Sequence, residues 1–293
     1  MKLSQLLRTD QVTVSCELFP PKANSPLDLD TILRETAALS PDFISVTYGA
    51  GGSNSKHTLS ISAQLQDAYH IPALAHLTCV SSSRRQVEEM VARFQTAGIQ
   101  NILALRGDLP KDGPVSSDYR YASELVSHIR SLPGGADLTI GAACYPEGHV
   151  ECPRRELDID FLKRKVDCGV DFLTTQMFFD NSIFYQFLYR VLTHDIRVPI
   201  VAGIMPVTNV KQIQRSCQLS GTVLPPRFQK IAERFGDDPA AMKQAGIAYA
   251  TDQIIDLIAN GVDHIHIYTM NKPDVAAKIM ANLSDIIGSH GDA

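Results

Sequence analysis

Residues 168–176 read CGVDFLTTQ, closing one helix and opening one strand within nine positions. A cysteine ends a helical pattern, Gly169 supplies the left-handed residue on which helices stop, and Val170 leads into the extended run FLTTQ. The phrase recurs as AGIQNILALR at 97–106 and as NGVDHIHIY at 260–268. A helix end, a glycine, an apolar residue and a strand, repeated in one chain, mark alternating α and β units.

Outward from these phrases the alternation runs almost end to end. Strand patterns occupy 12–18, 42–47, 72–78, 101–106, 138–144, 171–176, 198–203 and 263–268. Amphipathic segments such as 83–97 and 159–168 separate them, with apolar residues at three- and four-residue spacing. The strands are apolar on both faces, as expected where helices cover the outside and side chains fill the inside. Eight strands each followed by a helix predict an α/β fold, a closed (β/α)8 TIM barrel, with an extra helix at 226–235 before the last strand. No linker or low-complexity tract interrupts the chain, so residues 1–293 are expected to form a single domain.

Composition narrows the function. Of 293 residues 44% are hydrophobic and 20% charged, and 27 Lys and Arg against 32 Asp and Glu leave a net charge of −5. That balance argues against nucleic acid as the main partner. No signal peptide is visible and no apolar run is long enough to span a membrane. Six scattered cysteines without a Cys-x-x-Cys pair suit a reducing cytoplasm.

Barrel active sites gather at the C-terminal ends of the strands. Here those ends read Glu17, Thr47–Tyr48, His76, Arg106–Gly107–Asp108, Tyr145, Gln176 and Tyr268. One polar residue at a strand end is ordinary; a ring of them is a polar-lined pocket. Glu17 stands out, a carboxylate in the apolar strand TVSCEL just before Pro20–Pro21 stiffen the turn. YGAGGSN at 48–54 suggests a phosphate loop, but Asn54 replaces the third glycine of the dinucleotide fingerprint. His264 and His266 share a strand face as a metal pair would, yet they close the last strand. Barrel metal sites of this kind usually carry the pair on the first strand, which here offers Glu17 instead, so no metal is assigned. Lys163, Arg164 and Lys165 fall on consecutive helical positions, a solvated face unless an anion lies beside them.

With these residues in view, the chain closely resembles the bacterial methylenetetrahydrofolate reductases. ELFPPK (17–22), SVTYGAGG (45–52), HLTC (76–79), ALRGDLP (104–110) and YPEGH (145–149) match in family order. LKRKVDCG (162–169), TQMFFD (175–180), GIMPVTN (203–209) and YTMNK (268–272) continue the match, which has the form of the short bacterial members. The resemblance implies a barrel that binds FAD non-covalently. NADH or NADPH reduces the flavin and leaves, and methylenetetrahydrofolate then takes its place and is reduced to methyltetrahydrofolate, a methyl donor for methionine synthesis.

By the same resemblance Glu17 is the general acid and Asp108 the carboxylate near flavin and pterin. The cofactor residues would be Thr47, Tyr48, His76, Arg106, Gly107, Asp108, Ala122, Tyr145, His149, Asp158, Arg164 and Lys165. Folate would meet Glu17, Gln176, Gln212, Tyr268 and Lys272, with Lys272 standing where some relatives have Arg. Relatives can present a Phe to folate from the seventh helix; QIQRSCQ at 212–218 has no aromatic. The family further implies a homo-oligomer. The alternatives are a flavin-free barrel aldolase or methyltransferase, and a folate- or flavin-binding protein without catalysis.

Overall fold

Eight parallel strands close on themselves in sequence order in the computed structural model, which describes residues 1–20, 28–48, 55–109, 115 and 118–288. They are β1 (Thr13–Leu18), β2 (Ile44–Val46), β3 (Ala73–Thr78), β4 (Asn101–Leu105), β5 (Thr139–Cys144), β6 (Phe172–Thr175), β7 (Ile200–Ile204) and β8 (His264–Ile267). The first pairs with the last, Cys16 opposite Ile267, so the sheet has no edge. Each matches an expected strand to within two residues.

Helix α1 (Leu3–Leu6) precedes the barrel. The outer layer is α2 (Leu29–Ala37), α3 (Ser55–Tyr69), α4 (Arg84–Thr96), α5 (Ala122–Ser131), α6 (Arg155–Asp167) and α7 (Asn181–Thr193). The segment joining β7 to β8 carries α8 (Val210–Ser220), α9 (Pro226–Phe235) and α10 (Pro239–Ala259). After β8 come α11 (Pro273–Asn282) and α12 (Ser284–Gly288). Among the described residues no helix is long and apolar enough to cross a membrane.

The recurring glycine phrase works as its chemistry requires. Gly98, Gly169 and Gly261 all have positive φ, at 69°, 109° and 78°. After α4 the Gly98 N–H donates to Gln95 O and the Ile99 N–H reaches back to Phe94 O, the crossed pair of a Schellman cap. Gly261 and Val262 repeat it on Ile258 and Leu257. Each cap satisfies the last carbonyls of a helix and throws the next apolar residue into the barrel wall.

The barrel interior is layered. At its N-terminal floor Leu3 and Leu7 pack with Phe43, Leu74, Phe172 and Val201. Above lies a polar layer in which Ser15 Oγ meets His266 Nδ1 at 2.8 Å and Ser45 Oγ meets Nε2 at 3.2 Å, with the ring stacked on Phe43. His264 is held in the same way, Nδ1 by Thr13 Oγ1 at 3.0 Å and Nε2 by Leu7 O at 3.0 Å. The His-x-His pair is therefore built into the wall, all four ring nitrogens bonded to protein. The glycine loop at 49–54, together with Pro21, Lys22 and Pro110 of the quoted motifs, lies outside the described residues.

Candidate active site

Glu17 is the fifth residue of β1, inside the barrel wall at the C-terminal mouth and 7% exposed. Burial pushes its carboxyl up to about 8, so at neutral pH it carries its proton. His76 on β3 lies opposite, equally buried, and burial pushes its imidazole down to about 3. Nε2 of His76 stands 3.8 Å from Glu17 Oε2, beyond hydrogen-bond reach, and has no partner among the described residues. At neutral pH both groups are uncharged, so the contact is not an ion pair. Tyr268 completes this corner: its hydroxyl donates to Thr175 O at 2.6 Å, and burial, reinforced by Glu17, raises its phenol well above the usual range.

The loops after β4 and β5 build the neighbouring arc. Gly107, at φ 87°, lets the chain turn sharply after β4, where a Cβ would press on Thr78 at 3.0 Å. The turn sends Arg106 toward the β5 loop, where its guanidinium forks onto both carboxylate oxygens of Glu151 at 2.6 Å. Asp108 follows, exposed. Tyr145 meets His149 edge-to-face at 4.6 Å, its phenol pushed up to about 12 by burial. His149 Nδ1 accepts the Glu151 N–H at 3.1 Å, which leaves the proton of the neutral ring on Nε2, and the His149 N–H donates to Asp158 Oδ1 at 3.3 Å.

On α6 the consecutive cations separate. Lys165 turns inward and donates to Ala143 O at 2.5 Å, its ammonium pushed down by burial while Cys144 and Asp158 oppose the shift. Arg164 lies on the exposed side, 5.6 Å over the Phe161 ring. At the end of β2, Thr47 O accepts from Thr58 Oγ1 at 2.8 Å and Tyr48 is buried. Ala122 is the first residue of α5, behind the Arg120 and Tyr121 N–H groups that Glu124 caps.

The opposite arc runs from β6 to β8. Gln176 follows β6, where its N–H donates to Cys144 O at 2.7 Å and its side-chain oxygen accepts from Met177 N–H at 2.9 Å. Gln212, exposed in the first turn of α8, lines a groove with Met205, Thr208, Ser216 and Met270. Among the described residues no aromatic lines this groove; its apolar lining is Met205, Pro206, Val207, Ile213 and Met270. Lys272 donates from Nζ to Thr208 Oγ1 at 2.6 Å.

Strand order thus sorts the nominated residues. Thr47, His76, Arg106–Asp108 and Tyr145 lie at the C-terminal ends of β2 to β5, and Glu17, Gln176 and Tyr268 at those of the arc from β6 round to β1. Glu151, Thr269 and Asn271 were not singled out from sequence. Glu151 is 45 residues from the arginine it clamps. Thr269 and Asn271 fall inside the quoted phrase YTMNK, where an Asn after a strand was the available signal for a left-handed turn.

A family model described as methylenetetrahydrofolate reductase matches residues 2–284. A 5,10-methylenetetrahydrofolate reductase of Pectobacterium carotovorum subsp. carotovorum is 34% identical, the match covering 93% of this chain and 90% of that one. Methylenetetrahydrofolate reductase (NADH) 1 of Arabidopsis thaliana is 33% identical over 96% of this chain, which spans only 50% of the plant protein. A solved structure, an uncharacterized protein from Clostridium thermocellum described as binding two copies of 5-methyl-5,6,7,8-tetrahydrofolic acid, superposes with a TM-score of 0.60. It is 14% identical and the match covers 99% of this chain and 100% of that one, a likeness of fold.

Proposed function

The chain belongs to the methylenetetrahydrofolate reductase family, and from that premise we propose that it reduces 5,10-methylenetetrahydrofolate to 5-methyltetrahydrofolate, residues 1–293 acting as one flavin-binding barrel. The observation that carries the reading is Glu17, a carboxyl kept protonated near neutrality by burial at the barrel mouth.

The residues present fit FAD. His76 Nε2 is buried and unpartnered among the described residues. The loop after β4 and helix α6 carry the cations Arg106, forked onto Glu151, and Lys165, bonded to Ala143 O. Bound FAD supplies the transfer of hydride from NADH or NADPH to the folate. Thr47, Tyr48, His76, Arg106, Gly107, Asp108, Ala122, Tyr145, His149, Asp158, Arg164 and Lys165 would hold it, the cations pairing with its diphosphate.

The methylene group of the substrate bridges two nitrogens, and hydride can add only after one C–N bond opens. Glu17 donates its proton to the leaving nitrogen, which is general acid work. An iminium cation results, and the carboxylate of Asp108 balances its charge. Gln176, Gln212, Tyr268 and Lys272 would contact the folate. Lys272 offers a point charge rather than the fork of an arginine.

The test is anaerobic titration of purified protein with NADH and with NADPH, followed by methylenetetrahydrofolate. The protein should be yellow, release FAD on denaturation, bleach with reduced nicotinamide and recover its colour with the folate. A colourless protein that FAD cannot reconstitute would overturn the reading. In Glu17→Gln, bleaching should persist while recovery with folate slows by about a hundredfold or more.

A further inference from the structure

The corner after β8 holds two consecutive residues with side chains in the left-handed region, Met270 at φ 53° and Asn271 at φ 54°. That conformation is unfavourable wherever a Cβ is present, and Asn is among the residues that tolerate it best. What it achieves is read from the bonds it makes. Asn271 Oδ1 accepts the Phe19 N–H at 2.9 Å, and Asn271 Nδ2 donates to Phe19 O at 2.8 Å. Thr269 Oγ1 donates to Glu17 O at 2.7 Å and accepts the Asn271 N–H at 3.2 Å.

These bonds begin where the sheet stops. On its β8 side the β1 ladder ends at Cys16 opposite Ile267. Two side chains then continue the pairing on the β8 side from Glu17 to Phe19, taking up backbone groups that no further strand residue serves. Tyr268 and Lys272 occupy the same corner, so the segment that pins the Glu17 backbone also carries two of the proposed folate contacts.

We propose that Asn271, together with Thr269, is a positioning residue that fixes the C-terminal end of β1 and so aims the Glu17 carboxyl into the barrel mouth. The proposal rests on the reading of Glu17 as the proton donor and deepens it. The ionisable groups facing Glu17 are His76 from β3 and Tyr268 from β8; β2 presents the uncharged Ser45 opposite it. Loosening the strand end admits water to the carboxyl without bringing a new charge to it.

The variants separate backbone from bond. Asn271→Gly keeps the left-handed turn accessible and removes both bonds to Phe19. Asn271→Asp keeps an accepting oxygen and loses the donor. Two readouts apply. The first is the infrared carboxyl band of Glu17, identified by its loss in Glu17→Gln and titrated in the purified protein without folate or nicotinamide. The second is the pair of half-reactions. In Asn271→Gly the carboxyl should titrate roughly one unit or more below wild type as water relieves its desolvation. The folate half-reaction should slow by about ten- to a hundredfold, its high-pH loss moving to lower pH, while bleaching by reduced nicotinamide stays within about twofold. Asn271→Asp should slow the folate half-reaction likewise, while its new carboxylate opposes the fall in the Glu17 titration.

A Glu17 band that titrates as in wild type in Asn271→Gly overturns the proposal, even where thermal stability falls. Equal slowing of both half-reactions overturns it too. Should the glycine variant not fold, Thr269→Val, which deletes the bond to Glu17 O at nearly constant shape, carries the same test. The infrared titration does not depend on flavin chemistry. A protein lacking reductase activity would therefore sink the proposed function while still deciding whether this corner holds Glu17.

Discussion

Burial takes the charge from Glu17 and from His76 together, and the two losses act on opposite sides of neutrality. Glu17 is neutral in the fold up to about 8, whereas an exposed carboxyl ionises near 4.5. Its contribution to stability is therefore whole below 4.5 and lost as pH rises through 8. His76 is neutral down to about 3 against an ordinary 6.5, so its contribution is whole above 6.5 and lost as pH falls toward 3. Glu17→Gln should accordingly gain stability over wild type as pH rises from about 4.5 to about 8 and level off above. The gain is on the order of a few kcal/mol at pH 9, read as the difference between urea midpoints at pH 4.5 and pH 9. With Glu17 as the proposed proton donor, catalysis should change in the opposite sense, the folate half-reaction falling as pH passes 8. A midpoint difference independent of pH would mean that the carboxyl is solvated.

At the scale of elements, the glycine caps fix the strand starts through local bonds, which is why CGVDFLTTQ and its two counterparts could be read directly. The three helices between β7 and β8 were less legible. PRFQKIAERF announces α9 with its N-terminal proline, but α10 is buried at Met242, Ile247, Ala250, Ile254 and Leu257, and so broad an apolar surface weakens the helical stripe. Its packing turns on Gly246, where a Cβ would lie 1.8 Å from Val207 O in the loop leading to Thr208 and Gln212. Alanine is the better helix former by about 1 kcal/mol. A backbone carbonyl cannot step aside as a flexible side chain can, so the overlap should win. Gly246→Ala is expected to destabilise by about 1–3 kcal/mol and to raise the KM for folate more than it lowers kcat. Unchanged urea midpoint and KM would show that α10 can ride outward freely.

The whole molecule is a tube with two unlike ends, and the sequence disclosed them unequally. Polar residues closing apolar strands pointed to the mouth, because strand direction alone decides which end they occupy. What joins them did not follow, since the Arg106–Glu151 clamp and the Asn271–Phe19 clip link residues distant in the chain through loop geometry. The floor was also hidden: KLSQLLRT reads as an ordinary N-terminal segment, yet α1 plugs the barrel. Leu3 and Leu7 are 0% and 2% exposed, and Asn101 fastens them by accepting the Leu3 N–H at 2.8 Å while donating to Ala73 O at 3.1 Å. An apolar plug with a satisfied polar anchor supports the barrel without touching its chemistry. Leu3→Ala and Leu7→Ala should each cost about 2–5 kcal/mol, because walls held by eight paired strands cannot collapse into the gap. Turnover at 25 °C should stay within about twofold, since the plug and the mouth lie at opposite ends of the barrel. Urea unfolding and steady-state kinetics on the same preparations check both halves. A loss of turnover as large as the loss of stability would mean that the floor and Glu17 are coupled through the His266 layer between them.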